Sequence, residues 1–190
     1  MSEVSSVAVA SPRTNVVRRS IAVAAGVVLV AISAHLAIPI PGTPVPMTMQ
    51  PLAVLLVGGA LGAALGGSSL VLYLALGIAG LPVFSPWGGP GGIASILGTS
   101  GGYLLSFPLA AAATGRIVGN GQGTLRVAVG ALVGMTLIHL GGLAQLAILT
   151  GSVRAAAILG TWPFILGDIG KLALAIAILR PLTPSLRARL

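Results

Sequence analysis

Asp168 and Lys171 are the residues with chemistry in an otherwise apolar chain. They lie in a hydrophobic run, 161–179, that carries no other formal charge. A charge inside a membrane span is rare, costly and usually functional. A spacing of three puts both on one helix face, together with Phe164 and Ala175. Counted from Thr161 at about 1.5 Å per residue, Asp168 falls about 10 Å and Lys171 about 15 Å along the helix. That is the outer half to the midplane of a bilayer, where transporters hold substrates. The competing reading is an ion pair that only neutralises itself. Gly167 and Gly170 leave room for a ligand or a neighbouring helix. His139 and Gln145, six residues apart on another helix, point in directions about 120° apart and make no single cluster. His139 is expected to bond a backbone carbonyl, with a proton relay as the alternative. His35 reads as interfacial and Trp162 as part of an aromatic belt. Trp87 is a candidate to cover a ligand.

The elements that position these residues must suit lipid. Of 190 residues, 56% are hydrophobic and 28 are glycine, while only 6% are charged, against about 25% in soluble domains. Too few polar residues exist to cover a water-facing surface. The chain has no cysteine, which excludes disulfides, thiolate zinc sites and a cysteine nucleophile. Its two acids, Glu3 and Asp168, cannot make a core carboxylate pair, and no metal site is expected.

Six transmembrane helices are predicted. The first covers 20–38, about one bilayer crossing. It follows Arg18 and Arg19 and is read as a retained helix rather than a cleaved signal. The run 51–84 is split by the Gly66-Gly67-Ser68-Ser69 turn into two short helices. Residues 82–99 read as a loop, 100–114 as a fourth helix interrupted by Pro108, and 115–124 as a turn. The last two helices cover 126–149 and 161–179. With the N-terminus inside, the cytoplasmic face receives Arg13, Arg18, Arg19, Arg116, Arg126, Arg180, Arg187 and Arg189, and the outer face only Arg154. Eight against one places both termini in the cytoplasm. The expected organisation is a cytoplasmic tail at 1–19, a transmembrane domain at 20–180 and a second tail at 181–190. The net charge of +8 is thereby spent on topology, and nucleic acid is not an expected partner.

The outer loops 39–51 and 82–99 are uncharged and proline-rich, too apolar for solvated loops. Irregular backbone near lipid persists only against protein or around a cavity, so these loops read as a lid. Gly58, Gly62 and Gly66, with the parallel row Gly59, Ala63 and Gly67, are small-residue faces for close helix packing. Ser20/Ala24 and Ala22/Gly26 on the first helix are a candidate subunit interface. Gly98-Thr99-Ser100-Gly101 fits the G-x-S-G of rhomboid-type intramembrane proteases, but the His139 it would need is on the fifth helix rather than the sixth.

At these residues the chain resembles BioY, the biotin-binding S component of energy-coupling factor (ECF) transporters. Pro44-Val45-Pro46-Met47-Thr48-Met49-Gln50-Pro51-Leu52 resembles the family's segment before the second helix, and Gly80-Leu81-Pro82-Val83-Phe84 its G-L-P-V-F. Gly98-Thr99-Ser100-Gly101-Gly102-Tyr103-Leu104 resembles its G-P-T-G-G-Y-L, with Thr99 and Ser100 replacing proline and threonine. Pro163–Lys171 resembles its P-F-x-x-G-D-x-x-K. The resemblance implies an all-α membrane bundle of the ECF S-component type, in the cytoplasmic (inner) membrane, that is not an enzyme. Gln50, Tyr103, Asp168 and Lys171 are then the residues expected to line the site. A carboxylate accepts only and an ammonium donates only. Asp168 can therefore take the ureido N–H groups, while Lys171 takes the ureido carbonyl or the valerate carboxylate. The helix start at Gly101 and Gly102 offers free amides to an anion. Phe84, Trp87 and Phe164 would wall the thioether ring. The chain has no phosphate-binding G-x-x-x-x-G-K-[ST] motif, so concentrative uptake is expected to need partners or an ion gradient, and no cofactor is expected in the chain itself. ATP would be bound by a pair of partner ATPases, joined through a transmembrane T component. A homo-oligomer, a solitary ion-coupled carrier and an S component for another vitamin such as thiamin are left open.

Overall fold

The structure is a computed structural model and describes residues 12–190. Residues 1–11 of the expected N-terminal tail, and the Arg13 side chain, lie outside the described residues. The long helices are α1 (Pro12–His35), α2 (Gln50–Leu61), α3 (Ala63–Ile78), α5 (Gly101–Val118), α6 (Thr124–Thr150) and α8 (Ile165–Arg187). Two short helices, α4 (Gly92–Leu97) and α7 (Val153–Gly160), lie in segments expected to be loops. Between α1 and α2 a small antiparallel hairpin pairs β1 (Ala37–Ile38) with β2 (Met47–Thr48).

The bundle is apolar outside and holds its polar side chains inside. Val16, Ile21, Ile32, Leu125, Ile148 and Leu166 are exposed on the helix surfaces, Leu166 by 83%. Gln50, Ser69, Asp168 and Lys171 are buried. Water would reject that surface, and lipid accepts it. By length and hydropathy, α1, α6 and the segment Val153–Arg187 each suffice to cross a bilayer, while α2 and α3 are shorter apolar helices.

α5 is the hub, packed mainly against α6, α3 and α2. Small residues allow these contacts. A Cβ on Gly58 would strike the Ala111 carbonyl of α5, so α2 and α5 touch backbone to backbone. Gly59 is covered by Leu179 of α8. The row on α2 is thus internal packing. Gly26 is also internal, because a Cβ there would lie 2.8 Å from Ser69 Oγ and 3.1 Å from Val57. It therefore departs from the expected subunit interface, whereas Ser20 and Ala24 are exposed and Ala22 is half-buried.

The break between α2 and α3 falls at Gly62, not at 66–69. Gly62 adopts φ 90° and ψ 174°, a conformation reserved for glycine. Ser69 stays helical, its hydroxyl bonding back to the Leu65 carbonyl at 2.8 Å as serines in helices do. The 150–160 segment folds because Gly151 ends α6 in the left-handed region and Ser152 caps α7 through the Ala155 N–H. α8 continues through Pro181 and Pro184 to Arg187, so most of the segment expected as a tail is helix. The Arg187 guanidinium donates to the carbonyls of Gly59 at 2.8 Å and Gly115 at 2.9 Å. These sit in the last turns of α2 and α5, where carbonyls lack helical partners. One cation thus caps two helix C-termini, with favourable charge for both dipoles.

Replacing Gly58 with valine should separate α2 from α5 and lower stability by about 1–3 kcal/mol, as overpacking does. Thermal unfolding of the purified protein in detergent checks this. A wild-type transition temperature would mean that the contact is not tight.

Candidate substrate-binding site

One end of the bundle holds a partly open cavity. It is lined by Val45–Thr48 of the hairpin loop, Gln50 and Pro51 of α2, Phe84, Ser85 and Gly88 before α4, and Ser95 of α4. Ser100 and α5 residues Tyr103, Leu104 and Phe107 add to the wall, with Ile138 and His139 of α6, and Phe164, Asp168 and Lys171 at the start of α8. Its volume is about 60 Å³, room for a few water molecules. The hairpin loop and the 84–88 segment are the irregular parts of its wall.

Asp168 is placed by a short prelude. Trp162–Phe164 form a 3-10 turn, and α8 begins only at Ile165. Asp168 therefore sits in the first turn of α8 rather than two turns into a helix from Thr161. An acid there meets the positive end of the helix dipole. Asp168 and Lys171 are 5% and 6% exposed. Lys171 Nζ donates to Asp168 Oδ1 at 2.9 Å. The second oxygen, Oδ2, is 2.7 Å from His139 Nε2. His139 thus bonds a carboxylate and not the backbone carbonyl expected from sequence. Nothing in local spacing relates residues 29 apart. The available signal was a lone acid and a lone histidine on two helices of one bundle.

Gln50 lines the cavity, but its amide nitrogen donates to Tyr73 Oη at 2.7 Å, and that hydroxyl donates to the Val83 carbonyl at 2.9 Å. Tyr73 is fully buried, edge-on to Phe84 with centroids 5.5 Å apart. Sequence reasoning missed Tyr73, which ties the Gln50 wall to the Phe84 wall. Tyr103 presents its ring to the cavity, while its hydroxyl donates to the Gly160 carbonyl. Phe84 and Phe164 are buried wall residues.

Three expected site residues do not reach the cavity. Trp87 is 60% exposed and is not among the residues lining the cavity, suiting the aromatic belt expected of Trp162. Gly101 packs under the Ile96 carbonyl and Gly102 against the Gly141 carbonyl. Their lack of a side chain brings α5 against α4 and α6, and neither glycine lines the cavity. Gln145 also stands outside the cavity. Its amide donates to the Ile96 and Gly98 carbonyls at 2.9 and 2.6 Å, holding the end of α4. Ser100 Oγ has no hydrogen-bond partner among the described residues, and His139 is engaged with Asp168. The serine-protease pairing is therefore absent from these residues.

The loop over the cavity is tied down at two points. Thr43 Oγ1 donates to the Leu159 carbonyl of α7, and Thr99 Oγ1 to the Pro44 carbonyl at 3.2 Å. A polytopic membrane bundle with a loop-bordered cavity, one polar corner and aromatic walls has the architecture of a small-solute binding protein.

Comparison with known proteins sharpens that class. Residues 4–188 match the BioY family. A protein of Pyrococcus horikoshii named probable biotin transporter BioY is 42% identical over 82% of this chain and 90% of its own. The biotin transporter BioY of Thermotoga maritima is 31% identical over 77% of this chain and 85% of its own. The crystal structure of an S-component for biotin from an ECF-type ABC transporter matches with a TM-score of 0.81 and 28% identity, covering 91% of this chain and 94% of that one. The chain belongs to the BioY family and has the multi-pass membrane fold of an ECF S component.

The loop ties make a direct prediction. With no native cysteine, a single Met47→Cys reports on the loop. Thr43→Val should speed its labelling by a thiol reagent several-fold. Equal rates with and without Thr43→Val would show that the Leu159 contact does not hold the loop.

Proposed function

We propose that this chain binds biotin in the cavity beneath the hairpin loop and is the substrate-binding S component of an ECF transporter. It is a transport protein and not an enzyme. The observation that carries the reading is the Asp168–Lys171 pair at the cavity wall, 2.9 Å apart, beside the apolar Phe84 and Phe164. Biotin combines a ureido ring with two N–H donors and a carbonyl, an apolar thioether ring and a carboxylate tail. Asp168 accepts the N–H groups, and Lys171 donates to an oxygen. Tyr103, Phe84 and Phe164 cover the apolar body, and Gln50 closes the α2 side. No cofactor is needed. A T component and two ATPases would supply ATP-driven uptake.

In the membrane, α1, α2, α3, α5, α6 and α8 make six crossings with both termini cytoplasmic. The hairpin loop, residues 98–100 and α7 gather at one end, linked through Thr43 and Thr99. Arg187 gathers the α2 and α5 ends at the other, where Arg126 Nε also donates to the Ile117 carbonyl at 2.9 Å. Arginine-rich ends favour the cytoplasm. A reporter fused after Leu190 should be active only in its cytoplasmic form. Activity confined to a periplasmic form would overturn the orientation.

Calorimetry with biotin tests the site. The double variant Asp168→Asn/Lys171→Met removes both buried charges together, so no charge is left unpaired. It should remain monodisperse yet bind biotin roughly ten- to a hundred-fold more weakly, the loss of about 1.5–3 kcal/mol expected for a charge-assisted hydrogen bond. Wild-type affinity would make the pair purely structural.

A further inference from the structure

We propose that His139 is a neutral positioning residue that fixes the Asp168 carboxylate and thereby sets the polar corner for an uncharged head group. The proposal rests on the biotin reading above. The two oxygens of Asp168 are held by donors from different helices. Oδ1 takes Lys171 Nζ at 2.9 Å from α8 itself, and Oδ2 takes His139 Nε2 at 2.7 Å from α6. Lys171 alone would leave the carboxylate free to turn about its own side-chain bond. The second donor fixes its plane and the direction of its unused lone pairs, which number about four sites in a carboxylate before any are filled.

The proton on His139 follows from burial. Its Nδ1 is buried and has no hydrogen-bond partner among the described residues. A doubly protonated ring would bury an N–H with nothing to receive it. Orphaned buried N–H groups are rarer in proteins than under-satisfied acceptors. The ring therefore carries its proton on Nε2, where it donates to Asp168, and leaves Nδ1 bare. The charged and titratable groups facing it are Asp168 and Lys171 from α8 and Tyr103 from α5, whose ring stands edge-on to the imidazole at 6.2 Å. One anion and one cation leave the corner with no net charge. Such a corner favours a neutral group bearing both donors and an acceptor, and does not draw in a carboxylate. A protonated His139 would add a positive charge and reverse that preference.

The chain has two histidines, and they carry opposite signatures. His35 Nδ1 lies 2.9 Å from the Ala31 carbonyl. A carbonyl only accepts, so His35 bears a proton on Nδ1. In the full chain labelled with ¹⁵N-histidine in detergent, His139 should show a protonated Nε2 and a bare Nδ1, assigned by its loss in His139→Gln. By calorimetry with biotin, His139→Ala should bind roughly ten- to a hundred-fold more weakly. His139→Gln, whose amide nitrogen can reach the same carboxylate oxygen, should recover most of that loss. An imidazolium spectrum for His139, wild-type affinity in His139→Ala, or a Gln variant no better than the Ala variant would each overturn the proposal. If His139→Ala fails to stay monodisperse, the Gln variant and the wild-type spectrum still decide it. A wild-type chain that does not bind biotin would overturn the functional reading instead, and the same sample's spectrum would still test the His139 tautomer.

Discussion

A carboxylate in an apolar bundle needs partners, and the Asp168 side chain organises the cavity end of this molecule around that need. Removing an ion from water costs several kcal/mol even after relaxation. Here the compensation comes from the α8 dipole, from Lys171 one turn on and from His139 on α6. Each partner fixes a piece of architecture. The dipole requires that α8 begin at Ile165, after the turn at Trp162–Phe164. The histidine requires that α6 and α8 meet at one depth. Tyr103 then wedges between α6 and α7, its ring over Gly142 and its hydroxyl on the Gly160 carbonyl. The chemistry of one acid therefore dictates the arrangement of three helices and the position of the cavity between them.

The rest of the bundle answers a different requirement, that backbone polar groups in lipid be satisfied within the protein. Helix–helix contact without a hydrophobic drive depends on close approach. Gly58 against Ala111, and Gly102 against Gly141, supply it. Helix ends inside the bundle take side-chain partners instead. Gln145 serves the end of α4 and Arg187 the ends of α2 and α5. These scaffold residues are polar, yet none lines the cavity. Polarity inside the bundle is therefore divided between holding the helices and meeting a guest.

Much of this was legible in the amino-acid sequence. Hydropathy gave the long helices, and four short motifs pointed to the family that the comparisons establish. The Asp168–Lys171 pair stood out because charges are scarce and their spacing is local. What sequence could not reveal were relations between distant segments. His139 reaches Asp168 from a separate helix, and Tyr73 reaches Gln50 in the same way. Gly101 and Gly102 looked like an open helix N-terminus, but their neighbours fill that space. Trp87 looked like a cover because its loop is apolar, yet the residue is exposed and does not line the cavity. The 66–69 turn was misplaced because a Gly-Gly-Ser-Ser string reads as a breaker, whereas a single glycine at 62 held the required dihedral angle.

The double cap by Arg187 bears on how the protein is assembled. Gly59 and Gly115 precede it by 128 and 72 residues. During synthesis, α2 and α5 enter the membrane well before α8 exists. Until then, the negative ends of two parallel helix dipoles lie side by side without Arg187 between them. Early intermediates should therefore be loose at this end, and insertion of the last helix becomes the locking step of biogenesis rather than an addition to a finished bundle.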